Sequence, residues 1–110
     1  MRWPIWRVAV AERSMEPALR PGDWLLVWRG NGAIRPGRIV VARHPETPDL
    51  LLVKRVGWGE ADGWWLTSDN PEAGAVDSAR LGPVPAALIE GRVLLRYRRA
   101  KAGGPTPQRG

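Results

Sequence analysis

Short apolar runs, each broken by glycine or proline, constrain this chain more than any other feature. Ile5 to Ala11, Asp23 to Arg29, Arg38 to Arg43, Leu50 to Trp58, Trp64 to Thr67 and Leu88 to Tyr97 are rich in aliphatic and aromatic residues. Runs of that length and composition read as strands. The 13 glycines and 11 prolines fall largely between them and read as turns, as at Pro21-Gly22, Gly30-Asn31-Gly32 and Ala61-Asp62-Gly63. Gly91 interrupts the last run as a bulge would. Six or so short strands with little helix predict an all-β, barrel-like domain.

The 110 residues suit one domain, expected over residues 1–99. Residues 100–110 lack apolar periodicity and read as a disordered tail. There is no cysteine, so disulfides, thiolate catalysis and cysteine zinc sites are excluded. One histidine, His44, excludes a two-histidine metal motif. No metal or cofactor is expected. The net charge of +6 is spread along the chain, with a denser group at Arg92, Arg96, Arg98, Arg99 and Lys101. No RNA-binding aromatic motif or helix-turn-helix accompanies it, so no nucleic-acid partner is expected. No apolar run approaches the roughly 20 residues of a membrane span. The first residues are too short and too charged for a signal peptide. A cytoplasmic protein is the expectation, with Trp3 and Trp6 available for contact with a lipid interface.

Between the first two runs lies Ser14-Met-Glu-Pro-Ala-Leu-Arg-Pro-Gly-Asp23, more than a plain hairpin needs. Ser14 can cap a helical turn that tolerates the proline, and Pro21-Gly22 stops it. A serine attacks carbonyl carbon only when a base takes its proton. His44 is the only histidine, set in a loop that reads as exposed. Lys54 is the other choice, placed inside Leu50-Leu-Leu-Val-Lys-Arg-Val. Burial lowers a lysine pKa from its usual value of about 10.4 toward the range where the free amine is a general base. Strand alternation alone leaves Lys54 free to point either way. Asp69, Glu72 and Asp77 share a turn-rich loop with Arg80, which favours ion pairs over paired acid–base work.

Together these motifs resemble the serine–lysine peptidases of the signal peptidase I and self-cleaving repressor superfamily, over roughly Val8 to Val93. Ser14-Met15-Glu16-Pro17-Ala18-Leu19 looks like the nucleophile box, and Pro21-Gly22-Asp23 like the Gly-Asp box after it. Lys54-Arg55-Val56 looks like the general-base box. Ser68-Asp69-Asn70, Val76-Asp77-Ser78 and Gly82-Pro83-Val84-Pro85 look like the Gly-Asp-Asn…Asp-Ser-Arg…Gly box. The resemblance implies Ser14 as nucleophile, Lys54 as base, the Ser14 N–H as an oxyanion donor and Met15 at the pocket. It implies a supporting frame of Asp23, Arg55, Asp69, Asn70, Asp77 and Ser78. Within the superfamily the chain looks most like the maturation proteases of nickel-type superoxide dismutase. The implied partner is a leader-bearing dismutase precursor.

The chain departs from the pattern at three places. Glu12 stands where signal peptidases often carry a hydroxyl or glycine. Ala75 stands where a serine orients the lysine, and the arginine after Asp-Ser is displaced to Arg80. Ser78 is left as an unassigned hydroxyl for the lysine. Two other functions compete. A self-cleaving regulator would use Ala73-Gly74 or Ala102-Gly103, but only 13 residues precede Ser14. A non-catalytic basic module for nucleic acid or lipid would rest on the charge and the tryptophans.

Overall fold

The computed structural model describes residues 4–74 and 76–98. Ala75, Trp3 and the tail expected over 100–110 lie outside the described residues. Among the described residues six strands form: β1 (Ile5–Ala9), β2 (Asp23–Arg29), β3 (Ile39–Arg43), β4 (Leu51–Glu60), β5 (Gly63–Thr67) and β6 (Ile89–Arg98). They make one antiparallel sheet in the order β1-β2-β6-β3-β4-β5. The segment between β5 and β6 is not plain loop. It holds single 3₁₀ turns at Pro71–Ala73 and Ala86–Leu88 and one α-helical turn, α1 (Ser78–Leu81).

The apolar runs become strands because each buries part of its surface in one of two cores. Val10, Met15, Leu19, Leu25, Val27 and Val41 form the first cluster. Val40, Ala42, Val56, Leu66, Val84 and Ile89 form the second. β3 serves both: Val40, Val41 and Ala42 are all fully buried, with Val41 in one cluster and its neighbours in the other. A strand covered on both faces reads as a continuous apolar run, which explains Ile39-Val-Val-Ala42. Each Val or Leu buried this way contributes about 1.5–3 kcal/mol.

The mainly β prediction stands, but the barrel does not. The order of the sheet runs from β1 at one end to β5 at the other, and these two do not pair. β4 is ten residues long, and β5 covers only its second half, Arg55 to Glu60. The first half therefore keeps an edge toward β1. Strand count is written in the apolar runs, whereas closure depends on tilt and stagger, which are not.

β6 holds the centre by pairing with β2 on one side and β3 on the other. The pairings shift register opposite Leu26/Val27 and at Val41/Ala42, which places the irregularities on either side of Gly91 rather than on it. Gly91 is needed for close approach: an added Cβ would lie 2.4 Å from the Trp28 carbonyl oxygen and 2.6 Å from Val27 Cγ1. Several tryptophans have local partners. Trp58 stacks on its cross-strand neighbour Trp65, with centroids 5.4 Å apart. Half-buried Trp6 carries the Arg29 guanidinium 4.6 Å from its ring centroid.

Gly91→Ala is expected to destabilise the fold by about 1–3 kcal/mol through overpacking. Gly32→Ala, where an added Cβ meets nothing within 4 Å, is the control and should stay within about 0.5 kcal/mol of the parent. Urea denaturation of the two variants checks both.

Candidate active site

The loop carrying Ser14 is closed at its base by backbone bonds. Val10 N–H donates to the Asp23 carbonyl and Gly22 N–H to the Val10 carbonyl, both at 2.9 Å. Within the loop, Leu19 N–H reaches the Met15 carbonyl at 2.9 Å across a hydrogen-bonded turn that includes a cis Glu16–Pro17 peptide, where the sequence suggested a helical turn. Gly22, at φ 95°, ends it in a conformation that suits glycine. Met15 and Leu19, 2% and 3% exposed, anchor the turn in the first core cluster. Asp23 is buried at the closing point, where its carboxylate accepts the Arg20 N–H at 2.9 Å.

A second loop grips the first. Asn70 donates its backbone N–H to the Ser14 carbonyl at 2.7 Å and its amide to the Arg13 carbonyl at 3.1 Å. Arg55 and Asp69 form a two-pronged pair, with Nε to Oδ1 at 2.9 Å and Nη2 to Oδ2 at 2.7 Å. Those bonds raise the Arg55 pKa further above its usual range. The pair ties β4 to the residues that lead into Asn70.

Alternation along β4 settles where Lys54 points. Leu52, Lys54 and Val56 are buried, and Lys54 stands opposite Val40 of β3. The residue is 3% exposed. Its Nζ lies 2.9 Å from Ser14 Oγ and 3.2 Å from Ser68 Oγ. Burial pushes the amine below the ordinary lysine range, and the charges of Asp77 and Glu12 partly oppose that. A buried amine with a lowered pKa beside a hydroxyl can act as a general base.

The sequence leaves open which hydroxyl accompanies the lysine, and the structure places Ser68 there rather than Ser78. Ser78 is 1% exposed, and its Oγ accepts the Leu66 N–H at 2.8 Å, fastening α1 to β5. Ser68, just past the end of β5, is the serine at Lys54. It donates its own hydroxyl to Asp77 Oδ2 at 2.8 Å. Asp77 also accepts the Ser68 N–H at 3.1 Å and caps α1 through the Ala79 N–H at 3.0 Å. A signal for Ser68 was present in the chain: serine stands where the superfamily box has glycine, and Ala75 where it has serine.

Other residues separate from the site. His44 is buried rather than in an exposed loop, and its Nδ1 accepts the N–H groups of Glu46 and Thr47 at 3.0 and 3.1 Å. Asp69 and Asp77 have the distinct partners given above, and Glu72 is exposed. A groove of about 280 Å³ leads to Ser14 and Lys54. One wall is Val8 to Glu12, along the unpaired side of β1 and its extension; the other is Leu50 to Lys54, the half of β4 left uncovered by β5. Met15 and Leu19 also line it, with Gly74 and Val76.

Lys54→Met removes a buried amine whose folded pKa is lowered. The unfolded chain binds the proton more readily, so wild-type stability rises with pH between the folded and unfolded lysine pKa values. The variant should be more stable than wild type by about 1 kcal/mol at neutral pH. Its advantage should shrink as pH climbs to the ordinary lysine range, measured by denaturation across pH.

Comparison with known proteins agrees with this geometry. Residues 6–94 match the family described as peptidase S24-like. The chain is 35% identical to the mitochondrial inner membrane protease subunit 1 of Xenopus tropicalis, over 84% of this chain and 68% of that protein. It is 32% identical to the mitochondrial inner membrane protease subunit 2 of Schizosaccharomyces pombe, over 74% and 58%. It is 33% identical to the mitochondrial ATP-independent inner membrane protease subunit 1b of Arabidopsis thaliana, over 86% and 72%. The chain thus spans roughly three-fifths to seven-tenths of these relatives. They are named for an inner membrane, which overturns the cytoplasmic expectation. Among the described residues no helix is long and apolar enough to cross a membrane. The chain belongs to the peptidase S24-like family, and its Lys54–Ser14 hydrogen bond is consistent with the serine–lysine dyad of a serine-type peptidase.

Proposed function

We propose that this protein is a serine endopeptidase that removes an N-terminal leader from a precursor protein. The observation that carries the reading is the 2.9 Å contact between Lys54 Nζ and Ser14 Oγ, made by a buried lysine at the end of an apolar groove. Ser14 Oγ attacks the scissile carbonyl as neutral Lys54 takes its proton. The Ser14 N–H faces the developing oxyanion, a contribution of about 3–4 kcal/mol for a donor of this kind. Lys54 then gives the proton to the leaving amine, and the same amine activates the water that hydrolyses the ester. Met15 borders the pocket for the residue before the cut. Asp23, Arg55, Asp69, Asn70, Asp77 and Ser78 hold the two loops and β4 in register. Residues 1–99 form one peptidase domain in this reading.

The groove supports a substrate in extended form, because backbone groups of β1 and the first half of β4 border it on two sides. The relatives' names support a precursor met at a membrane. A leader-bearing nickel-type superoxide dismutase is the specific substrate we put forward, on the overall resemblance described above. Trp3 and Trp6 are the residues proposed to touch lipid there.

Co-expression with that precursor, followed by N-terminal sequencing of the product, tests the reading. Cleavage at a single leader junction is expected, with Ser14→Ala and Lys54→Ala each reducing the rate by at least about 10³-fold while remaining folded. Full activity in either folded variant overturns the mechanism. Cleavage of other leaders but not the dismutase overturns only the choice of substrate. The rate should rise with pH as Lys54 deprotonates. Glu12→Gln removes a charge that holds the lysine pKa up, so the rising limb should move to lower pH in a pH–rate profile.

A further inference from the structure

We propose that a cavity on the Arg13–Asn70 side of Ser14 is a subsite for a lysine or arginine just after the cut, with Glu12 and Glu72 as its specificity-determining residues. The subsite rests on the endopeptidase reading above and extends it past the scissile bond.

The cavity, of about 520 Å³, adjoins the catalytic groove and shares Ala11 and Glu12 with it. Arg13, Asn70, Glu72 and Ala73 complete its lining. The groove and Met15 take the residues before the cut, so this is the adjoining space for those after it. A cavity of that volume is about 8 Å across, the reach of two to three extended residues.

Most polar groups of the lining are already engaged. Asn70 donates its N–H to the Ser14 carbonyl and its amide to the Arg13 carbonyl, at 2.7 and 3.1 Å. Ala73 N–H goes to the Asn70 carbonyl at 3.1 Å. Arg13 donates Nε to Glu16 at 3.3 Å. Among the described residues the Glu12 and Glu72 carboxylates have no hydrogen bond or ion pair. In a chain of net charge +6, the cavity thus offers a ligand two unneutralised acceptors. Ionised carboxylates only accept, so the matching group is a donor with positive charge, an ammonium or a guanidinium. An acidic residue at the same place meets like charge.

Glu12 also links the subsite to the base, because its charge and that of Asp77 act on Lys54. Asp77 is engaged by Ser68 and the Ala79 N–H, and Arg55 beside the lysine is engaged by Asp69. Glu12 is therefore the charge near the base that a substrate can meet. A cation seated on it offsets its field at Lys54, which favours the free amine. Binding the preferred chain then prepares the base as well as holding the substrate.

A peptide library made by digestion at aromatic residues keeps acidic and basic residues inside its members, and mass spectrometry of the cut sites reads the preference on each side of the cut. The wild-type protein is expected to enrich lysine and arginine about three- to tenfold at one of the first three positions after the cut, the order given by one or two exposed charge pairs. The enrichment should shrink as salt is raised. Glu12→Gln combined with Glu72→Gln should abolish it. Glu72→Lys in the Glu12→Gln background should turn it toward aspartate and glutamate. Both side chains are exposed, so these changes leave the core intact. With a lysine-bearing peptide and its alanine counterpart, the rising limb of kcat should lie at lower pH for the lysine peptide, and Glu12→Gln should narrow that gap.

Cleavage without enrichment of lysine or arginine after the cut overturns the subsite, as does an enrichment that survives both glutamine changes or is confined to residues before the cut. Coincident limbs for the two peptides overturn the coupling to Lys54. No cleavage by the wild-type protein, or cleavage that persists in Ser14→Ala, defeats instead the endopeptidase reading on which the subsite stands.

Discussion

A buried amine is the constraint on which the rest of this structure depends. Lys54 is 3% exposed, and an ammonium there loses most of its hydration. Burial favours the free base, so the fold's penalty against the charge is also what makes the nitrogen reactive. Holding it requires neighbours that accept hydrogen bonds without restoring a full counter-charge at contact distance. Two serine hydroxyls meet that need. The carboxylate of Asp77 bonds to Ser68, the second of them, so its field is felt without a direct ion pair.

Around that amine the supporting bonds divide by type. The loop of Ser14 is fixed mainly by backbone groups, through Asp23, Val10 and Asn70. The base is fixed by β4, and Arg55 next to it turns the other way to reach Asp69. Strand alternation thus gives two neighbouring residues opposite surroundings: burial disfavours the charge of Lys54 in the interior, while Arg55 sits in a half-buried ion pair. The join between them is Ser68-Asp69-Asn70, in which successive residues contact Lys54, Arg55 and the Ser14 loop.

Much of the frame was legible in the chain. Ile39-Val-Val-Ala42 and the run around Lys54 read as strands from their apolar residues, while burial of the first on both faces emerges only with the two core clusters. Whether Lys54 faced inward was not legible, because Val53 and Arg55 permit either phase until β3 fixes the register at Val40. Ser68 escaped notice because a hydroxyl at a strand end reads as a turn residue, and Asp77 that orders it lies nine positions away. His44 misled through its neighbour Pro45: the residue is buried although the loop that carries it is not apolar. The barrel misled for a different reason. The strands were countable, but the uncovered half of β4 is a matter of where β5 begins to pair.

The interrupted sheet has a consequence for selectivity. A cleft walled by strand edges admits a single extended chain and excludes compact structure, because a helix about 10 Å wide cannot present its backbone to such edges. What such a cleft reads first is local disorder, before any side chain is compared. Under the function proposed above, a folded body on the far side of the cut would be spared by its own secondary structure, while an extended segment would fit between the strand edges. Order in a substrate would then work as a safeguard against digestion beyond the cut.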